Sequence, residues 1–238
     1  MSMKTIVFPA AQRGTGDYGW LKTNYYFSFA QYHDRDKMHF GVLRVLNDDF
    51  IAGGGSFPTH PHDNMEIITI PFNGALKHKD STGGQGIISA GDVQIMSAGT
   101  GVQHSEANAS ATDAVTLFQI WIFPKLRNIS PRYEQASFNT SDRINKWQTV
   151  VSPIENEKAL WINQDARLSL TKLESGKTLV YSNAFKGNGV FLVTITGAVV
   201  VDKIQLSQRD ALGIYDTDEF SITAAKDAEL LAIEIPMQ

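Results

Sequence analysis

Thr59-His60-Pro61-His62-Asp63-Asn64-Met65-Glu66-Ile67-Ile68-Thr69-Ile70-Pro71-Phe72-Asn73-Gly74 decides how the chain folds. Glu66 to Phe72 is short, β-branched and aromatic, and Asn73-Gly74 closes it with turn residues; that is a strand followed by a reversal. The same unit recurs outward at Met38 to Leu46, Val93 to Met96, Val115 to Phe123, Arg167 to Leu173, Val190 to Thr196, Gly197 to Val201 and Leu230 to Ile235. Gly, Asn, Asp and Ser clusters punctuate these runs, as in Gly53-Gly54-Gly55 and Lys186-Gly187-Asn188-Gly189. Many short strands at near-regular spacing predict an all-β sandwich or barrel. Long amphipathic helices are missing from the pattern. Asn128 to Ala136, which contains Pro131, is expected to hold a helical turn or a linker.

A faint repeat points to two copies of one β-domain. Asn73-Gly74-Ala75-Leu76 resembles Thr196-Gly197-Ala198-Val199, and Ala90-Gly91-Asp92-Val93 resembles Gln208-Arg209-Asp210-Ala211. Thr112-Asp113-Ala114 and Lys226-Asp227-Ala228 each precede an apolar strand that ends at a proline. The 238 residues are enough for one or two domains of about 100–150 residues each.

Composition narrows the functional classes. Apolar residues make up 42% and charged residues 19%, ordinary for a globular chain. The net charge of −4, from 21 basic and 25 acidic residues, lacks the basic footprint of a nucleic-acid binder. Cysteine is absent, which excludes disulfides, thiolate-held zinc, iron–sulfur clusters and thiol nucleophiles. It also fits a cytoplasmic location. Met1 to Gly16 has no apolar stretch before a cleavage site, so no secretory signal is expected, and no run reaches membrane-spanning length.

All six histidines fall at or before position 104. His60 and His62 are spaced i, i+2, which on a strand puts both imidazoles on one face, about 6–7 Å apart. Pro61 between them donates no hydrogen bond, so the segment is expected at an edge or in a loop. His104-Ser105-Glu106 repeats the spacing with an imidazole and a carboxylate. Brought together on neighbouring strands, the two pairs would make a His₃Glu site for a divalent transition metal: Fe, Ni, Co, Mn, Cu or Zn. His33, His39 and His78 have no matched partner and are expected to be surface or ordinary hydrogen-bonding residues. Glu66 could be a ligand, a partner orienting an imidazole, or a solvated charge.

These residues also carry a family resemblance. Gly54-x₅-His60-x-His62-x₃-Glu66-x₇-Gly74 and Gly99-Thr100-Gly101-x₂-His104-x₃-Asn108 resemble the two cupin motifs, with one extra residue in the first and Gly99 where many cupins have proline. Thr59 to Glu66, Gln94 to Glu106, Leu43 to Asp49, Gln119 to Ile122 and Pro131 to Gln135 resemble the pirins, a bicupin family, and above all the bacterial pirin-like quercetinases. The resemblance implies two tandem antiparallel β-barrel/jelly-roll (cupin) domains. The first, 1–136, would bear the metal, and the second, 137–238, would have no metal site. It implies His60, His62, His104 and Glu106 as metal ligands, Glu66 in the layer behind them, and Fe(II) as the leading metal.

The activity that the resemblance implies is that of quercetin 2,3-dioxygenase: dioxygen opens the flavonol heterocycle and carbon monoxide is released. A flavonol or similar enolic aromatic would be the small-molecule partner, and Glu106 the catalytic base. The alternative is a metal-bearing binding protein that acts through protein contacts as a transcriptional co-regulator or redox sensor. Phe40, Val42, Phe57, Met65, Met96, Phe118 and Ile120 are pocket candidates by strand position; Gln119 must face the opposite way from Phe118 and Ile120, so only one set can line the pocket. Arg132 and Tyr133 are expected in the linker or its capping contacts.

Overall fold

The β-branched runs become strands, and the turn residues fall between them. The computed structural model describes residues 3–154 and 157–238. The first half lays down β1 (Lys4–Phe8), β2 (Gly14–Asp17), β3 (Leu21–Tyr25), β4 (Leu43–Ile51), β5 (Ser56–His62), β6 (Glu66–Asn73), β7 (Ala75–Asp80), β8 (Gln85–Ser89), β9 (Asp92–Ser97), β10 (Val102–Asn108), β11 (Val115–Ile122) and β12 (Arg132–Ser137). The second adds β13 (Gln148–Ser152), β14 (Leu160–Trp161), β15 (Arg167–Leu173), β16 (Thr178–Ser182), β17 (Gly189–Val201), β18 (Ile204–Ser207), β19 (Ala211–Tyr215) and β20 (Glu219–Ile235). Helix among the described residues is confined to two short 3₁₀ turns, Ala10–Gln12 and Thr140–Arg143.

Three sheets result. Seven strands run in the order β12-β9-β6-β11-β4-β3-β2, and four in the order β5-β10-β7-β8. The second half forms β1-β19-β17-β20-β15-β13-β14, with β16 on β20 and β18 on β17. Pairing is antiparallel except between β13 and β14. The architecture is all-β, as the strand pattern predicts, and fits the jelly rolls that the resemblance implies, with open facing sheets in place of closed barrels. The first strand belongs to the second half's sheet, pairing from Lys4 with Tyr215 to Phe8 with Ala211.

The central strands β6, β9 and β11 of the seven-stranded sheet are buried on both faces, which explains why they read as nearly continuous apolar runs rather than alternating ones. On one face Leu46, Ile68, Ile70, Ile95, Phe118 and Ile120 share a single core with Val151, Leu168, Phe191, Leu231 and Ile233 of the second half. Full burial of each such side chain contributes about 1.5–3 kcal/mol. The other face looks onto the four-stranded sheet, and a cavity lies between the two.

Two local expectations are corrected. Asn128 to Ala136 holds no helical turn: Arg132–Ser137 is an edge strand paired along β9, and Pro131 precedes the first paired residue, where no donor is needed. Val190 to Thr196 and Gly197 to Val201 are one strand, β17, whose register against β20 shifts on both sides of Gly197.

The faint repeat is present in the backbone. Gly74 and Gly197 both have left-handed φ (71° and 80°), as do Gly91 and Arg209 (97° and 67°). Asp92 accepts from the Ser89 N–H at 2.9 Å, and Asp210 accepts from the Ser207 N–H at 2.9 Å. The same turn chemistry thus sits at matched places in both halves.

Candidate metal centre

Strand pairing assembles the imidazoles. On β10, Val102 pairs with His62 and His104 with His60 across β5. On the other side His104 pairs with Asp80, and Glu106 with His78, across β7. Paired residues share a face of the sheet, so His60, His62, His78, Asp80, His104 and Glu106 all point inward. The ladder to β5 slips between His104 and Glu106, next to Pro58, which has no N–H to offer it.

The rings of His60, His62 and His104 form a near-equilateral triangle, with centroids 4.4, 4.8 and 4.8 Å apart. One nitrogen from each lies within 4.8 Å of the others, the spacing of a group able to hold a metal ion. His60 Nδ1 sits 2.8 Å from the Pro58 carbonyl, so it carries the proton and Nε2 keeps its lone pair. That Nε2 faces His104 Nε2 at 3.0 Å.

His104 is fixed from behind. Its Nδ1 lies 3.4 Å from His78 Nδ1, and His78 Nε2 lies 3.0 Å from Asp80 Oδ2. Asp80 Oδ1 accepts from Thr82 N (2.8 Å), Thr82 Oγ1 (2.6 Å) and Gly84 N (3.0 Å). One proton assignment satisfies the chain: His78 donates from Nε2 to Asp80, and His104 donates from Nδ1 to His78. His104 Nε2 then also carries a lone pair. Two lone pairs facing each other at 3.0 Å repel unless an electron-pair acceptor stands between them. The donor set therefore fits a divalent cation.

Electrostatics agree. Burial, joined by the nearby imidazoles, pushes His104 down to about 3, and burial with the neighbouring His60 pushes His62 down to about 4, so both are neutral at pH 7. Burial raises Glu106 to about 7 against the opposing hydrogen bond from Gln119. Both Glu106 oxygens accept from Gln119 Nε2, at 3.0 and 2.9 Å. Burial opposes ionisation of Asp80, yet the bonds from Thr82, His78 and Gly84 hold it below the usual carboxylate range.

The cavity holds about 320 Å³, enough for a small aromatic ligand. His60, His62, His104 and Glu106 line one side; Tyr25, Gln119 and Trp121 on the seven-stranded sheet line the other. Glu106 shares this wall, but its carboxylate groups with His104 and His78 rather than with all three imidazoles of the triangle.

Several side chains stand elsewhere than expected. His78 is buried, 2% exposed, and its ring stacks on Tyr133 at 4.6 Å. His78-x-Asp80 carries the same i, i+2 signal as the other two pairs, so the sequence contained it. Tyr133 thus reaches the site, while Arg132 donates to the Trp161 carbonyl at 2.8 Å. Glu66 orients no imidazole through a hydrogen bond: its carboxylate accepts from Ser97 Oγ (2.8 Å) and Asn163 N (3.3 Å) in the core between the halves. The turn after His62, with Asn64 at φ 45°, breaks the strand parity that would have put Glu66 on the histidine face. Of the pocket candidates only Phe57 lines the cavity. Phe40, Phe118 and Ile120 lie in the shared core with Val42 packed against it, and Met96 joins a small cluster beside Met65. Gln119 and Trp121 are the set that lines it. His33 and His39 are exposed.

Comparison with known proteins agrees with this picture. The family profile described as Pirin matches residues 8–122, and that of the quercetinase C-terminal cupin domain matches 149–235. A quercetin 2,3-dioxygenase of Escherichia coli K12 is 40% identical over 227 residues, 95% of this chain and 96% of that protein. A pirin-like protein of Caulobacter vibrioides is 42% identical over 227 residues, 95% and 97% of the two chains. The crystal structure of the Escherichia coli pirin YhhW in complex with nickel(II) superposes with a TM-score of 0.93 at 38% identity, covering 99% of this chain and 100% of that one. With the profiles falling on both halves and these relatives matching almost end to end, the chain belongs to the pirin family of two-domain cupins.

Proposed function

We propose that the chain is a metal-dependent dioxygenase of the quercetin 2,3-dioxygenase type, with His60, His62, His104 and Glu106 as metal ligands and a flavonol and dioxygen as substrates. One observation carries the reading: the inward imidazole nitrogens form part of the wall of a largely apolar cavity of about 320 Å³. A protein acting only through its outer surface has no need of such a space beside the nitrogens. The relatives named as quercetin 2,3-dioxygenases and the nickel(II) complex of a pirin support it. Three neutral nitrogens and one carboxylate suit iron(II), the metal proposed, and equally nickel, cobalt, manganese, copper or zinc. The metal-bearing domain is proposed to span 1–136 and the metal-free domain 137–238, with β1 lent across to the second sheet.

When bound, the ion supplies Lewis acidity at the substrate's enolic oxygen and the means of reacting with dioxygen. The chain's own groups do the rest. His78 and Asp80 hold His104 with Nε2 forward. Glu106 takes the proton from the substrate hydroxyl, steered by Gln119, whose own Oε1 accepts from Thr69 at 3.4 Å. Phe57, Tyr25 and Trp121 cover the flat rings and exclude water. The overall reaction opens the heterocycle and releases carbon monoxide.

The test is anaerobic loading with Fe(II), Mn(II), Ni(II) or Co(II), then quercetin and air, following loss of the visible flavonol band. Turnover is expected with at least one metal. His60→Ala should remove both metal binding and turnover. Tight metal binding without turnover for every ion would leave the partner-binding reading in its place.

A further inference from the structure

We infer that the cavity wall opposite the imidazoles is a hydroxyl-reading subsite, in which Asp49 and Asn47 accept hydrogen bonds from a ring hydroxyl remote from the oxygen that faces the histidines. The inference rests on the function proposed above and adds to it a specificity-determining contact made by two residues on the wall away from the histidines.

The case begins with parity on β4. Leu46 and Asp48 face the second half of the molecule, and Asn47 and Asp49 therefore face the cavity, which both line. Asp49 is 5% exposed and Asn47 6%, yet Oδ1 of each has no hydrogen-bond partner among the described residues. The hydroxyl of Thr23, paired with Asp49 across β3, lacks one as well. Buried acceptors are almost always satisfied, because leaving one bare forfeits its hydration without return.

Two other carboxylates in this chain show the satisfied case. Asp48, one residue away on the opposite face, bonds Arg13 at 2.8 Å and Arg209 at 3.1 Å. Buried Glu234 collects Tyr181 (3.0 Å), Ala184 N (3.0 Å) and Phe185 N (2.8 Å). Asp49 stands apart in having its free oxygen at a cavity. The amide oxygen of Asn47, and the carboxylate of Asp49 when ionised, accept and do not donate, so their complement must bring an O–H or N–H. The surrounding walls, Tyr25, Phe57 and Trp121, are aromatic and suit a flat ring. A hydroxylated aromatic ring meets both requirements.

The test compares two probes on nickel(II)-loaded protein without dioxygen: 3-hydroxyflavone, which has a single hydroxyl, and quercetin, which adds hydroxyls on both outer rings. Affinities are read from the shift of the flavonol absorption band on titration. At pH 8, with Asp49 ionised, quercetin should bind about tenfold tighter or more, the effect of one hydrogen bond to a charged acceptor. Asp49→Leu should remove that advantage and leave 3-hydroxyflavone within about twofold of its wild-type affinity. Asn47→Leu should reduce it, and nickel binding by both variants checks that the site still assembles. Equal affinities in the wild type, or a preference that survives both substitutions, would overturn the subsite and leave the dioxygenase reading standing. Absence of nickel-dependent binding of either probe would overturn both.

Discussion

At the scale of single residues, the structure turns on which groups share protons. Asp80 never touches the triangle of imidazoles, yet it sets the tautomer of His78 and through it that of His104. Asp80→Asn should weaken nickel(II) or cobalt(II) binding about 10–100-fold in a competition titration, with the fold intact by circular dichroism. Asp49 makes a prediction about pH. Burial raises its carboxyl to about 7, so between its ordinary range and that value the native chain holds a proton that the unfolded chain has released. Native stability therefore falls as pH rises through this window. Metal-free Asp49→Asn should outlast the wild type in urea by a few kcal/mol at pH 8, with the gap closing toward about pH 4. A gap that stayed constant with pH would contradict the assignment.

Strands and turns decide what a reader of the sequence could have found. Both i, i+2 pairs, His60/His62 and His104/Glu106, were legible because the spacing of two survives on any strand, and the ladder brought them together. His78-x-Asp80 has the same spacing, but nothing in the sequence matches it to a partner; only the β7–β10 ladder sets it against His104 and Glu106. Glu66, four residues past His62, does not share the histidine face, because strand parity fails across the turn at Asn64. The side of β11 that faces the cavity could not be read from composition, as both faces are apolar and only the second half of the molecule tells them apart. One turn is testable. Gly99 has φ 50°, and a methyl group there would run into the Ile129 carbonyl oxygen. Gly99→Ala should cost about 1–3 kcal/mol or more in urea denaturation. Gly83→Ala is the control: it has positive φ but open space, and should cost about 1 kcal/mol.

The molecule as a whole behaves as one body because its main core crosses between the halves. Phe191, from the second half, packs its ring against Phe8, Tyr26, Phe27 and Phe40 at 4.9, 6.0, 5.3 and 5.6 Å. Phe191→Ala should lower stability by about 3–5 kcal/mol. Calorimetry should record one displaced transition rather than two separating ones. The Arg13–Asp48–Arg209 cluster ties the same faces together. The pairing of Lys4–Phe8 with Ala211–Tyr215 has a consequence for biosynthesis. At roughly 5–20 residues per second, a ribosome leaves the leading strand waiting roughly 10–40 s before its mate emerges. Throughout that interval the newborn chain carries an unpaired apolar ribbon with no sheet edge yet made for it to join.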